Sequence, residues 1–329
     1  MSRILITGMS GMVAPHLAEL LLGMGHEVHG TVRQRSNLEN LEDIKDDIIL
    51  HYCELKDRGN VDSVLKNSRY DYIFHLAAQS DVKNSFDAPK YTLENNIFGT
   101  FNLLESVKEN YRGSVVHIAG TSEEFGMVKP EECPLDEDSK MRPMSPYGIS
   151  KVACEMMALQ YHVSYGLRTI VTRAFNHSGR FRTECFSEST FAKQIVERKM
   201  GLTLSPIRVG NLETRRDYTH VKDMVRAYWL AASEGSAGEV YVIASGKSVR
   251  MKEVLGMLLG LTGIEEWTIE TDSGRMRPSD VPLLEGNSSK FRKLTGWTPE
   301  FGMDDICKDL LEYWEKKTRR NLAIVKMGI

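Results

Sequence analysis

Tyr147 and Lys151 stand four residues apart, and Thr121-Ser122-Glu123 lies upstream of them. On a helix, positions four apart share a face. A lysine ammonium there stabilises a phenolate, so the tyrosine can take or give the proton of a reacting hydroxyl. That is the apparatus of hydride transfer at a carbon bearing oxygen. Simple hydride transfer does not need Glu123, whose carboxylate points to a second proton transfer. Thr121 can donate to a substrate oxygen, while Glu124 reads as an ordinary surface carboxylate. A tyrosine and a lysine at this spacing also meet on solvated helix faces, so the pair takes its meaning from the elements that position it.

The segment SPYGISKVACEMMALQY supplies the helix, with Ser145 suited to the N-cap and Pro146 to the first helical position. Before it, the strand-like Ser114–Ala119 runs into GTSEEFG. A loop leaving the carboxyl edge of a parallel sheet is where ligands bind. Strand-like Arg3–Thr7, Glu27–Val32, Ile48–His51 and Tyr72–Leu76 alternate with helix-like Met12–Met24, Asn60–Lys66 and Thr92–Glu109. This alternation implies right-handed βαβ units and an α/β, Rossmann-like doubly wound parallel sheet, extended by Leu167–Arg173 and Glu239–Ile243.

The second half is less regular. Helices are expected over Phe191–Arg198, Lys222–Ala232, Val249–Leu259 and Asp304–Arg320. A strand is expected over Leu204–Ile207, and a loop or short strand over Met276–Leu284. The expected division is a dinucleotide-binding domain over 1–174, joined by 216–269. A smaller mixed α/β substrate-binding domain would be assembled from 175–215 and 270–329.

After the first strand, TGMSGMVA supplies Gly8 and Gly11, with Ala14 as the third small residue. The glycines permit a tight turn and let backbone N–H groups approach a diphosphate at a helix N-terminus. The second strand ends HGTVRQRS, without an acidic residue for the hydroxyls of an unphosphorylated ribose. Arg33, Arg35 and Ser36 suit a 2′-phosphate, which favours NADP(H) over NAD(H); the alternative is that the arginines are solvated or join a subunit interface. HLAAQS sets Ala77 and Ala78 where either a dinucleotide or core packing asks for small residues. Glu54 and Leu55 are candidates for the adenine side.

The chain of 329 residues can bury a substantial core, and its formal charge of −3 carries no basic block that would suit nucleic acid. Its five cysteines are scattered, without the spacing of a zinc site or disulfide framework, so no metal is expected. No apolar run reaches membrane-spanning length and no secretion signal is apparent, so the expected location is the cytoplasm, with no membrane partner.

TGMSGMVA, LHYCELKDRGN, HLAAQSDVKNSF, TSEEFG, SPYGISK, RAFNHSG, GNLETRRDYTH, YVIASG and RPSDVPLLEGNSSK together carry a family resemblance. The chain resembles the extended short-chain dehydrogenase/reductases acting on nucleotide sugars, especially the GDP-mannose 4,6-dehydratases. RPMSPYGISK, FAKQIV and RDYTHVKDMVRAYWL resemble GDP-4-keto-6-deoxy-D-mannose reductases equally well. The resemblance implies a GDP-sugar substrate and a bound NADP. A dehydratase converts GDP-mannose to GDP-4-keto-6-deoxy-D-mannose by C4 oxidation, loss of water across C5–C6 and hydride return to C6. The alternative is an NADPH-dependent reductase, or another nucleotide-sugar dehydratase or epimerase.

By the same resemblance, Thr121, Glu123, Tyr147 and Lys151 form the active site. Gly8, Ser10, Gly11, Met12 and Val13, with Arg33 and Ser36, surround the cofactor. So do Glu54, Leu55, Leu76, Ala77, Ala78, Gln79, Ser80, Tyr91, His177 and Arg182. Glu54 replaces the usual aspartate, and its longer side chain shifts that adenine contact. Asn176 and Lys193 are substrate candidates. Arg216 and Arg277 offer guanidinium groups to a sugar-nucleotide diphosphate. The family also implies a homodimer through helices around 92–107 and 147–165, with a tetramer as the larger alternative.

Overall fold

The computed structural model describes residues 1–66, 68–263, 267–276 and 281–326. The first half builds the main sheet from β1 (Arg3–Thr7), β2 (Glu27–Val32), β3 (Ile49–Tyr52), β4 (Tyr72–His75) and β5 (Val115–Ala119). Between them lie α1 (Val13–Gly23), α2 (Arg58–Lys66), α3 (Val82–Asp87), α4 (Pro89–Leu93) and α5 (Gly99–Asn110). Then come α6 (Pro146–Tyr165) and β6 (Arg168–Ala174), followed by β7 (Asn176–Ser178), α7 (Ser187–Lys199), β8 (Ile207–Val209) and β9 (Arg215–His220). Next are α8 (Val221–Glu234), β10 (Val240–Ile243), β11 (Ser248–Arg250), α9 (Met251–Gly260), β12 (Ile269–Thr271) and β13 (Leu283–Leu284). The last helices are α10 (Ser289–Thr295) and α11 (Met303–Lys326).

Seven strands pair in the order β10-β6-β5-β4-β1-β2-β3, all parallel. The central strands are apolar on both faces because helices cover both. α1 and α8 pack on one face, where Leu17, Leu21, Met224 and Tyr228 join Ile4, Ile6 and Phe74. The other face receives Val61, Leu65, Leu103, Leu104, Cys154 and Ala158 from α2, α5 and α6. The order of chain entry reverses between β1 and β4. The crevice at the carboxyl ends of these two strands is therefore the natural ligand site.

Three sequence expectations change here. The helix expected over Thr92–Glu109 is broken into α4, a π-helical turn (Glu94–Phe98) and α5, and α3 precedes it. The break lets Asn96 turn inward, where its side chain accepts from the Gln79 N–H and donates to the Gln79 carbonyl and the Ser150 hydroxyl. Second, the strand near 204 begins only at Ile207, beside β12. Third, the expected domain boundaries cut across the cores. Val254, Leu255 and Leu258 of α9 pack with α7 and α11 in a core away from the main sheet, whereas Phe291 and Trp297 join the α1–α8 core. Apolar faces decide these memberships, and a linear boundary does not follow them.

Candidate active site

The crevice is a cavity of about 530 Å³ running across the carboxyl edge of the sheet. One end is walled by Arg33, Ser36, Glu54, Leu55 and Tyr91, and the other by Thr121, Glu123, Tyr147, Asn176 and His177. Between them lie Gly8, Ser10, Gly11, Met12 and Val13, with Leu76, Ala77, Ala78, Gln79 and Ser80 opposite. Lys151 and Arg182 complete this wall among the expected residues. Arg35 is exposed and does not line the cavity.

The glycine turn is shaped for an anion. Gly8 has φ +75°, and a Cβ there would lie 2.8 Å from the Ala77 Cα, so only glycine lets the turns after β1 and β4 meet. α1 has neither a side-chain cap nor an acidic residue in its first turn, leaving its N-terminal N–H groups available to a diphosphate. Ala77 and Ala78 are half-exposed on the cavity wall, which decides between a cavity and a core role. At the β2 end, the Arg33 backbone N–H donates to Ser36 Oγ at 3.1 Å, and the guanidinium donates to the Tyr91 hydroxyl at 2.9 Å. These residues fit a dinucleotide carrying an additional phosphate.

At the reacting end, Ser145 Oγ accepts from the Gly148 N–H at 3.0 Å and Pro146 opens α6. Gly148 was not singled out in the sequence. A Cβ on it would lie 2.7 Å from the Glu123 carbonyl oxygen, so its small size lets the first turn of α6 press against the Glu123 backbone. The Thr121 hydroxyl accepts from the Glu123 N–H at 3.3 Å and lies near the Tyr147 phenol.

Lys151, buried, donates from Nζ to the Ala119 carbonyl at 2.7 Å, and burial lowers its basicity. Burial pushes the Tyr147 phenol above its ordinary value, outweighing the Thr121 side chain, and the Glu123 charge pushes the same way.

Other expected residues sit less uniformly. His177 hydrogen-bonds through Nδ1 to the Phe175 carbonyl at 3.0 Å, and burial, with the Arg182 charge, lowers it to about 4, so it is neutral near pH 7. Arg182 pairs with Glu188 at 3.1 Å and lies over the Phe186 ring. Lys193 does not line the cavity; it pairs with Glu184 and lies over Trp314. Arg216 is also off the wall. It is buried and donates through Nη1 to the Arg215 and Val281 carbonyls at 2.9 and 2.7 Å, joining β9 to the β13 segment. Arg277 lies outside the described residues.

Glu124 overturns its surface reading. It is fully buried, and its Oε1 accepts from the Thr121 N–H at 2.7 Å. Thr121-x-x-Glu124 has the spacing of a capping box, which gives Glu124 rather than Glu123 this bond, and packing then buries it.

The GDP-mannose 4,6 dehydratase family model matches residues 5–310 of this sequence. The chain belongs to the GDP-mannose 4,6-dehydratase family. Within that family, it is 32% identical to GDP-mannose 4,6 dehydratase 1 of Arabidopsis thaliana, with 98% of this chain and 92% of the relative aligned. It is also 30% identical to GDP-6-deoxy-D-mannose reductase of Pseudomonas aeruginosa, over 96% of this chain and 98% of the relative. Among solved structures, RMD from Pseudomonas aeruginosa complexed with NADPH superposes with a TM-score of 0.84 at 28% identity, covering 96% of this chain and all of that one. Among the described residues, no cluster of three or more His, Cys, Asp and Glu is placed to hold a metal, and no helix is long and apolar enough to cross a membrane.

Proposed function

We propose that this chain is an NADP-dependent GDP-mannose 4,6-dehydratase, a lyase forming GDP-4-keto-6-deoxy-D-mannose. The observation that carries the reading is that Glu123 lines the same cavity wall as Thr121, Tyr147 and Lys151. Gly8 through Val13 would hold the cofactor diphosphate, Arg33 and Ser36 its 2′-phosphate, and Glu54, Leu55 and Tyr91 the adenosine side. Leu76 through Ser80, His177 and Arg182 would line its remaining length. When bound there, NADP would supply the hydride acceptor for C4 oxidation and the donor for C6, so no external reductant would be consumed.

The protein residues manage the protons. Tyr147 takes the proton of the C4 hydroxyl while Thr121 orients that oxygen, and Lys151 offers the positive charge that offsets phenolate formation. Oxidation at C4 acidifies C5–H. Glu123 removes that proton and passes it to the C6 hydroxyl, which leaves as water to give the 4-keto-5,6-ene, and the proton that Tyr147 took from the C4 hydroxyl is then returned to C5. Asn176 is the substrate candidate that the cavity wall supports.

A reductase remains a second reading because of one observation. The alignment with a GDP-mannose 4,6-dehydratase of Yersinia enterocolitica runs over 350 positions, more than this chain contains, so that relative carries segments absent here. The alignment with the Pseudomonas reductase spans 318. Incubation of the folded, cofactor-loaded protein with GDP-mannose and no added NADPH distinguishes the two. A 4-keto-6-deoxy product is expected. Its absence, together with NADPH oxidation on a 4-keto sugar, would establish the reductase.

A homodimer is part of the proposal, supported by exposed apolar residues on α5 and α6. Phe101, Ile149, Met156 and Val163 are 40–83% exposed, and the last three recur at seven-residue spacing on one helix face. The five unpaired cysteines support a reducing compartment such as the cytoplasm.

A further inference from the structure

Behind the catalytic turn lie two carboxyl groups and one guanidinium, all nearly inaccessible to water. Arg173 on β6 is bound edge-on by Glu155 of α6, at 2.9 Å from Nε and 2.7 Å from Nη2, and its Nη1 donates to the Glu137 carbonyl at 2.9 Å. The guanidinium is thereby used. Glu124 approaches its Nε no closer than 3.7 Å. Glu124 Oε1 accepts from the Thr121 N–H, but Oε2 is buried without a hydrogen-bond donor and shares the Arg173 Nε edge with Glu155 Oε2, which stands 2.9 Å from that nitrogen. Gly120 is shaped to this carboxyl, since a Cβ there would lie 2.7 Å from Glu124 Oε1.

We propose that Glu124 is a neutral carboxylic acid, donating its proton to Glu155 and accepting from Thr121, and that it is the positioning residue for the turn carrying Thr121 and Glu123. Two ionised carboxylates on one guanidinium would leave a net negative charge in a dry site, where isolated charge is strongly disfavoured. One proton between them removes that charge and gives Oε2 a hydrogen bond. Burial, followed by the Glu155 charge, holds the Glu124 carboxyl well above the usual carboxylate range. The other charged or titratable groups around it are Arg173, Lys151, Cys154 and Tyr147. The Lys151 ammonium is bonded to the Ala119 carbonyl and does not pair with Glu124. Glu124 does not line the cavity, so it acts through its neighbours. Neutrality also spares the adjacent Glu123 a like charge beside the substrate.

The importance of the turn rests on the proposed function above, but the location of the proton does not. Infrared spectroscopy of the unliganded protein near neutral pH tests the proton directly. A buried protonated-carboxyl band should be present in the wild type and absent from Glu124→Gln. Its absence from the wild type, or its persistence in the variant, overturns the assignment whatever reaction the enzyme catalyses. For the positioning role, Glu124→Gln can keep both hydrogen bonds, donating to Glu155 and accepting from Thr121, and should hold kcat within a few-fold. Glu124→Leu loses them and should lower kcat by roughly 10- to 100-fold with KM little changed, the scale of a misplaced catalytic group. Wild-type kcat in the leucine variant would overturn the role, as would equal loss in both variants.

Discussion

Glu123 and Glu124 are adjacent residues of one type with opposite surroundings. Glu123 lines the cavity, while Glu124 is enclosed behind it. The proposed C5 proton transfer therefore belongs to Glu123. In Glu123→Gln, formation of the 4-keto-6-deoxy product should fall by roughly 10²- to 10⁴-fold, the usual contribution of a positioned acid or base. Isotope exchange at C4 should continue, because Tyr147 remains. Unchanged water elimination would remove Glu123 from that role. At the other end of the cavity, Arg33→Ala should weaken NADP binding by roughly 10- to 100-fold, as expected for lost charge-assisted bonds, and leave NAD binding nearly unchanged. Titration calorimetry with both cofactors reads the difference, and equal losses would place the 2′-phosphate elsewhere. Sequence alone indicated both residues by type and position. It did not expose Gly148, whose lack of a Cβ brings Tyr147 to the Glu123 backbone.

α6 carries two tasks on different sides. Its first turns present Tyr147 to the cavity and bury Lys151, while Ile149, Met156 and Val163 remain exposed. Ser145 at its start and left-handed Gly166 at its end fix its length, both by ordinary capping chemistry. The proposed dimer uses the exposed side. Val163→Glu would place a charge within that apolar seam and should weaken association by roughly 100-fold, the scale of a strong interface substitution. Light scattering over a dilution series should then show monomer where the wild type is dimeric. Unchanged mass would exclude this face as the seam. The π-helical turn before α5 was less legible from sequence. Its Asn96 looks ordinary in a helical run, and only the Gln79 loop and Ser150 across the fold give it a reason to turn inward.

The whole molecule should respond to acid through two imidazoles under the sheet. His75 lies between Thr7 and Thr100, and His117 bonds to Thr172. Burial, then the Lys151 charge, depresses both to about 3. Their neutral forms contribute stability that is complete above about pH 6.5, the unfolded value, and is lost as pH falls towards 3. The raised Glu124 has the opposite sign: its contribution is present below its unfolded value and lost as pH rises through its folded one. Denaturant midpoints should therefore fall between pH 6.5 and 4, and His117→Asn should remove about one proton from that slope. A slope unchanged in the variant would show that His117 does not drive it. The sequence by itself determined the parallel sheet, the glycine turn and the tyrosine–lysine pair, because apolar periodicity, glycine geometry and helical spacing are local properties. Tertiary structure alone decided that Arg216 ties two strands, that α9 joins the second core and that the carboxyl beside Glu123 is buried. Those outcomes depend on which distant surfaces exclude water around a side chain, and neighbours in sequence do not specify that.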